Sequence, residues 1–123
     1  MSAEPARTEV ARPVRVVADH EIPDRAPFRI TPGDRVTVGE QDTEWPAFVM
    51  VMSLTGEGWV PSRHLSVDRP IATVTTAYDT QELPASAGDV LALLADDPES
   101  GWAWCRDDAG REGWVPHRAL QVR

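Results

Sequence analysis

Two of the five tryptophans in this 123-residue chain, Trp45 and Trp102, follow acidic loops. Trp45 closes the stretch Gln41-Asp42-Thr43-Glu44, and Trp102 follows Asp96, Asp97 and Glu99. Both rings should be partly exposed. A partly exposed indole beside acids suits ligand recognition; the other reading is packing at a joint, with the acids as solvated turns. Catalysis has less to stand on. The chain holds no nucleophile elbow, no phosphate-cradling glycine loop and no paired carboxylates on a defined scaffold. His20, His64 and His117 come from separate loops without metal-ligand spacing, so neither a metal nor a cofactor is expected. Cys105 is the single cysteine, which excludes an internal disulfide and a thiolate cluster. It is expected to be a small buried apolar group.

Charge narrows the partners. The net charge is −8, from 20 acidic and 12 basic residues. Such a surface repels phosphate backbones, which argues against nucleic acid and favours a basic partner. No stretch approaches the roughly 18 apolar residues of a membrane span. Met1 to Arg12 has no apolar core of the kind a secretory signal needs, so a cytoplasmic location is expected.

The elements that must position these residues come from a phrase that the chain says twice. Gly58-Trp59-Val60-Pro61 returns as Gly113-Trp114-Val115-Pro116, and Gly33-Asp34 returns as Gly88-Asp89, each 55 positions later. Two motifs at one fixed period make an internal repeat. Prolines, glycines and short Val- and Thr-rich runs favour strands separated by turns, hence an all-β fold. Strands are expected at 14–18, 28–31, 35–38, 47–53 and 58–61, with a helical turn at 62–64. The second repeat should hold them at 71–75, 90–94, 102–106, 111–116 and 120–122. The expected organisation is a disordered tail at 1–13, a first barrel at 14–67, a linker at 68–70 and a second barrel at 71–123. A three-residue linker containing Pro70 should be stiff. The run Phe48 to Met52 is apolar on both faces, which suggests that its outer side is covered.

The order of these signals resembles a Src-homology-3 (SH3) domain written twice. Val17-Ala18-Asp19-His20-Glu21 stands where that family has L-Y-D-Y-E. Phe28 through Asp34 resembles L-x-F-x-x-G-D, Trp45 the first W, and Gly58 through Leu65 the closing G-x-F-P-x-N-Y-V. Glu82-Leu83, Gly88-Asp89, Trp102 and Gly113 to Leu120 fill the same places in the second repeat. The resemblance implies two tandem five-stranded barrels that bind proline-rich segments in the polyproline conformation, which loses little entropy on docking. It implies that Trp45 and Trp102 separate ligand pockets and that Pro61 and Pro116 line the groove. It also implies that Asp19, Glu21 and Glu44 in one repeat, and Glu82, Asp96, Asp97 and Glu99 in the other, select a ligand Arg or Lys. Three groove tyrosines of the family are replaced, by Ala18, His20 and His64 in the first repeat and by Val74, Thr76 and Ala119 in the second. Tyr78 stands close enough to fill one of those places. The G-W-V phrase is similar to that of bacterial SH3-type barrels.

Two functions follow as expectations. The first is a non-catalytic module that binds extended proline-rich or basic segments through Trp-centred, acid-flanked grooves. The second is an accessory protein that docks a folded partner, or itself, through the strand Phe48 to Met52.

Overall fold

The computed structural model describes residues 12–23 and 26–121. Most of the expected tail, and Val122 with Arg123, lie outside that range. Ten strands are present: β1 (Arg12–Arg15), β2 (Arg29–Ile30), β3 (Arg35–Gln41), β4 (Phe48–Ser53), β5 (Gly56–Pro61), β6 (Ile71–Thr73), β7 (Tyr78–Asp79), β8 (Val90–Asp97), β9 (Trp102–Arg106) and β10 (Glu112–Pro116). Single 3-10 turns follow β5 and β10, at Ser62–His64 and His117–Ala119. The described residues contain no α-helix. The all-β expectation therefore holds, with several sheets.

The chain forms two compact units, and they are not the two sequence repeats. Unit one is residues 27–80; unit two combines the N-terminal segment up to Ala26 with the chain from Gln81 onward. In unit one, β3, β4 and β5 pair as antiparallel neighbours, and the other edge of β3 takes β6, with Arg35 opposite Thr73 and Thr37 opposite Ile71. In unit two, β8, β9 and β10 pair likewise, and β8 takes β1, with Arg15 opposite Val90 and Arg12 opposite Leu93. Each four-stranded sheet thus draws its outermost strand from the other repeat. Residues 68–70, expected as a linker between barrels, lie inside unit one, where the Pro70 carbonyl accepts the Val38 N–H.

Hydrophobic alternation explains why the borrowed strands stay. Val16 is fully buried among Leu83, Leu91, Cys105, Val115 and Leu120, so the N-terminal segment completes the core of unit two. Val74 is likewise buried in unit one, as are Ile30, Val51 and Val60. Burying one such side chain contributes about 1.5–3 kcal/mol. Single bridges, Val16 to Leu120 and Leu65 to Val74, join the ends of each unit in place of a full fifth strand.

Local geometry accounts for the exchange. Val16 and Val74 hold equivalent bridges but stand 58 positions apart, whereas Leu65 and Leu120 stand 55 apart. The second repeat is therefore three residues shorter just after its first strand. In unit one, Phe28 faces Thr80: its carbonyl accepts the Thr80 N–H, and its own N–H donates to Thr80 Oγ1. Leu83 is the counterpart of Phe28. A second repeat that kept its own strand would have to set Thr80 opposite Leu83, leaving only Gln81 and Glu82 to reverse the chain. Two-residue hairpin turns need positive φ, which Gly, Asn and Asp supply. Every positive φ among the described residues falls on glycine. Gln81-Glu82 instead runs straight on, and Glu82 forms a parallel bridge with Trp114.

That close parallel approach explains Gly113. A Cβ there would meet the Glu82 carbonyl carbon and the Leu83 nitrogen at 2.7 Å. Beyond this, β8 runs through Asp97 with an irregularity between Leu93 and Ala95, so Asp96 and Asp97 lie on a strand and not in the expected loop. In β4 the expected cover is uneven: Val49 and Val51 are buried, Met50 is half-buried and Met52 is exposed.

Two measurements check this architecture. A fragment of residues 27–80 should fold cooperatively, with dispersed amide resonances, and a fragment of residues 14–67 should not, because it lacks β6 and Val74. Gly113→Ala should destabilise the chain by about 2 kcal/mol in denaturant unfolding, since its clash is with backbone that cannot rotate away.

Candidate functional site

Each unit gathers aromatic side chains beside a proline at the end of a strand. In unit one, Phe48 opens β4 directly across from Pro61. Tyr78 meets Phe48 edge to face at 6.5 Å and meets the His64 ring at 5.1 Å and 81°. His64 comes from the 3-10 turn after Pro61, and Nδ1–H is placed to donate to the carbonyls of Thr76 at 3.2 Å and Ala77 at 3.1 Å. Its own carbonyl accepts the N–H groups of Thr75 and Thr76. This turn is therefore clasped to the strand that carries Tyr78. The cluster is closed: Phe48 and Tyr78 are each 5% exposed and His64 is 9% exposed.

In unit two, Trp102 opens β9 directly across from Pro116, the position that Phe48 holds in unit one. His20 takes the place of Tyr78, in register with Ala85 as Tyr78 is with Ile30. Its ring stands edge-on to Trp102, with centroids 5.5 Å apart and planes at 76°. His20 Nε2 lies 2.9 Å from Glu82 Oε1. Ala119 occupies the place of His64, so the third ring is missing. Trp102 remains half-buried, and the cluster is the more open of the two.

The structure regroups the residues singled out in the sequence. Tyr78, expected with Trp102, lies in unit one with His64 and Pro61; Asp19 and Glu21, expected with Trp45, lie in unit two. The exchange of strands is the cause. Trp45 is not the counterpart of Trp102: it sits in the turn before β4, half-buried, and its carbonyl accepts the Phe48 N–H. Neighbouring Glu44 is exposed, with its N–H donating to Asp42 Oδ1. Among the acids of unit two, Asp19 accepts the Ala87 N–H at 2.8 Å. Asp96 takes His117 Nε2 at 2.5 Å. Asp97 stands opposite Trp102, and its carbonyl caps the turn through Gly101, a turn that contains exposed Glu99. Glu21 is exposed. The place of Phe48 in the site and the pairing of His20 with Glu82 are absent from the sequence reading. Counting register back from Pro61, and noticing the three-residue shortening, would have found both.

Trp104 and Trp114 are structural. Trp104 and Trp114 pack edge to face at 5.3 Å, both buried, and Trp104 Nε1 donates to Glu112 Oε1 at 2.9 Å. A cavity of about 300 Å³ in unit two is lined by Arg12, Val14, Leu93, Asp96, His117 and Leu120 among others; Trp102 and Glu82 take no part in it. No helix among the described residues is long and apolar enough to cross a membrane. The described residues bring no three His, Cys, Asp or Glu side chains together to hold a metal.

Two titrations stand out. Desolvation pushes the carboxyl of Asp107 upward, but the Arg111 and Ala109 N–H groups and the Arg111 guanidinium together bring it below its ordinary value. That pair clips the turn between β9 and β10. Cys105 is fully enclosed, and burial, with a smaller push from the Asp96 charge, raises its thiol from 9.0 to about 12. A raised acid pKa stabilises the fold below the unfolded value and loses that contribution as pH climbs toward the folded one. Wild-type stability should therefore fall between about pH 9 and 12 more steeply than that of Cys105→Ala, followed by denaturant unfolding. A thiol reagent at pH 8 should leave native Cys105 unmodified and label it only in denaturant.

No curated protein matches the chain. Residues 76–117 match the SH3 domain family. The matched stretch opens in unit one, with Thr76 through Thr80, and continues in unit two with β8, β9 and β10. SH3 domains are typically non-catalytic and mediate protein–protein interaction through proline-rich peptides.

Proposed function

We propose that this chain is a non-catalytic peptide-recognition protein of the SH3 type, and that unit two holds the working groove. The ligand is an extended segment containing proline and a basic residue. Trp102 receives a proline ring; Pro61 and Pro116, expected to line the groove, are fully buried and belong to the frame. Glu82 attracts the cation, with Asp97 and Glu99, close in sequence to Trp102, adding to the charge. The observation that carries this reading is the half-buried Trp102 at the start of β9, with His20 against its ring and the Glu82 carboxylate on the far side of His20. Unit one keeps the same frame with its rings packed together, which supports a structural role for Phe48, Tyr78 and His64. On this reading each unit is an SH3-type barrel, completed by a strand from the other repeat. The excess of acid over base supports a basic ligand.

A second reading draws on unit one. Met52 and Ile71, 36% and 40% exposed, stand in one row across Thr37, and Leu54 at the β4–β5 tip is fully exposed. An apolar row of this kind suits a folded partner.

An NMR titration of the labelled full chain with Arg-containing proline-rich peptides separates the two. Shifts should centre on Trp102 and Glu82, with affinity in the micromolar to millimolar range. Trp102→Ala should weaken binding at least about tenfold, the loss expected for a buried aromatic anchor. Phe48→Leu should leave affinity within about twofold. No shifts at millimolar peptide would retire the peptide reading in favour of a folded partner.

A further inference from the structure

We propose that His20 is a pH-dependent gate on the Glu82 carboxylate: its imidazolium takes the seat that a ligand cation needs, so basic segments bind unit two more tightly as that imidazole loses its proton. The inference rests on the peptide-recognition reading and adds its regulation.

The geometry holds the gate in place. His20 Nε2 is 2.9 Å from Glu82 Oε1, and the two side chains are 11% and 23% exposed. At that burial the interaction is screened less than an ion pair on an open surface. The backbone on both sides is fixed, because His20 N–H donates to the Ala85 carbonyl and Ala85 N–H donates to that of His20. Trp102 closes one side of the ring by its edge-to-face contact. His20 therefore cannot drift from Glu82 without giving up a ring contact in the groove itself.

The surrounding charges are few enough to name. On its own segment His20 has Asp19, whose Oδ1 takes the Ala87 N–H, and exposed Glu21. From the segment that carries Ala85 it meets Glu82. On the side of β9 it meets Trp102, which is neutral; Asp97 stands opposite Trp102, Glu99 lies in the turn before it, and His117, next after Pro116, is held on Asp96. Glu82 is the carboxylate that His20 touches, and Asp97, opposite Trp102, carries charge of the same sign.

Protonation changes what His20 offers. The imidazolium gives Glu82 a charge-assisted hydrogen bond, roughly twice as strong as a neutral one. The neutral ring gives an ordinary hydrogen bond, which a guanidinium displaces by gripping both carboxylate oxygens. Proton and ligand cation then compete for one carboxylate, and each weakens the other to the same degree. Imidazole is the side chain whose charge changes most readily near neutral pH, so the comparison is between mildly acidic and mildly alkaline solution.

The test uses the full chain and two peptides: an Arg-containing proline-rich peptide, and the same peptide with citrulline in place of Arg. Calorimetric affinity for the Arg peptide should rise about fivefold from pH 5.5 to pH 8, as expected when a charge-assisted bond is lost. The citrulline peptide should show no such rise. His20→Gln, which keeps a hydrogen-bond donor but not the titration, should bind the Arg peptide with the high affinity at both pH values. His20→Phe, which keeps the edge-to-face contact on Trp102, guards against a folding defect and should behave like His20→Gln. Peptide binding that is independent of pH, or a pH dependence that survives in both variants, overturns the gate and leaves the peptide reading standing. Absence of binding by either peptide at both pH values overturns the peptide reading and the gate together.

Discussion

Everything in this molecule depends on where two first strands find their partners. β1 pairs with β8 and β6 pairs with β3, so each repeat completes the sheet of the other. The constraint behind this is short and local. Between Thr80 and Leu83 stand Gln81 and Glu82, neither suited to the positive φ that a two-residue reversal demands. The chain therefore runs on, and Gln81 accepts the Trp114 N–H through its carbonyl while Leu83 N–H donates to the Trp114 carbonyl. Gly113 makes room for that passage. Once the second repeat cannot keep its own strand, the N-terminal segment supplies the missing one, and Val16 fills the core beside Leu120.

The exchange decides which chemistry meets. Two frames that would otherwise be near copies receive different inserts. Unit one receives Tyr78, which packs between His64 and Phe48. Asp79 beside it is buried and takes Arg29 Nε at 2.9 Å, which ties the new strand to β2. Unit two receives His20, with a smaller ring, and Ala119 in its 3-10 turn supplies no third ring. The same backbone positions give a packed cluster in one place and an accessible tryptophan with a carboxylate in the other. The borrowed residue, Tyr78 or His20, and two frame positions, Phe48 against Trp102 and His64 against Ala119, together make the difference.

Much of this was legible in the sequence, and the reason is periodicity. The repeat of Gly-Trp-Val-Pro and Gly-Asp placed both frames, and alternation placed β3, β5, β9 and β10 close to where they lie. Positive φ at Gly33 and Gly88 confirms why those turns carry glycine. The composition of the units was not legible, because strand pairing is non-local and either first strand has the apolar alternation to serve either sheet. The misplacement of Trp45 has a simpler origin. Its similarity in type to Trp102 outweighed register, and Pro61 selects Phe48. The acids at 96 and 97 were read as loop because charge suggests solvent; their neighbours Leu93, Leu94 and Ala95 are buried, and β8 carries the acids along.

The central claim is that His20 shares a site with Trp102, and Tyr78 with His64. Aromatic NOEs on the full chain, with assigned His, Tyr and Trp rings, test it most directly. The structure predicts cross-peaks between the His20 and Trp102 rings and between the Tyr78 and His64 rings. Cross-peaks joining His20 to His64 and Tyr78 to Trp102 would mean that each repeat keeps its own strand, and would contradict the account.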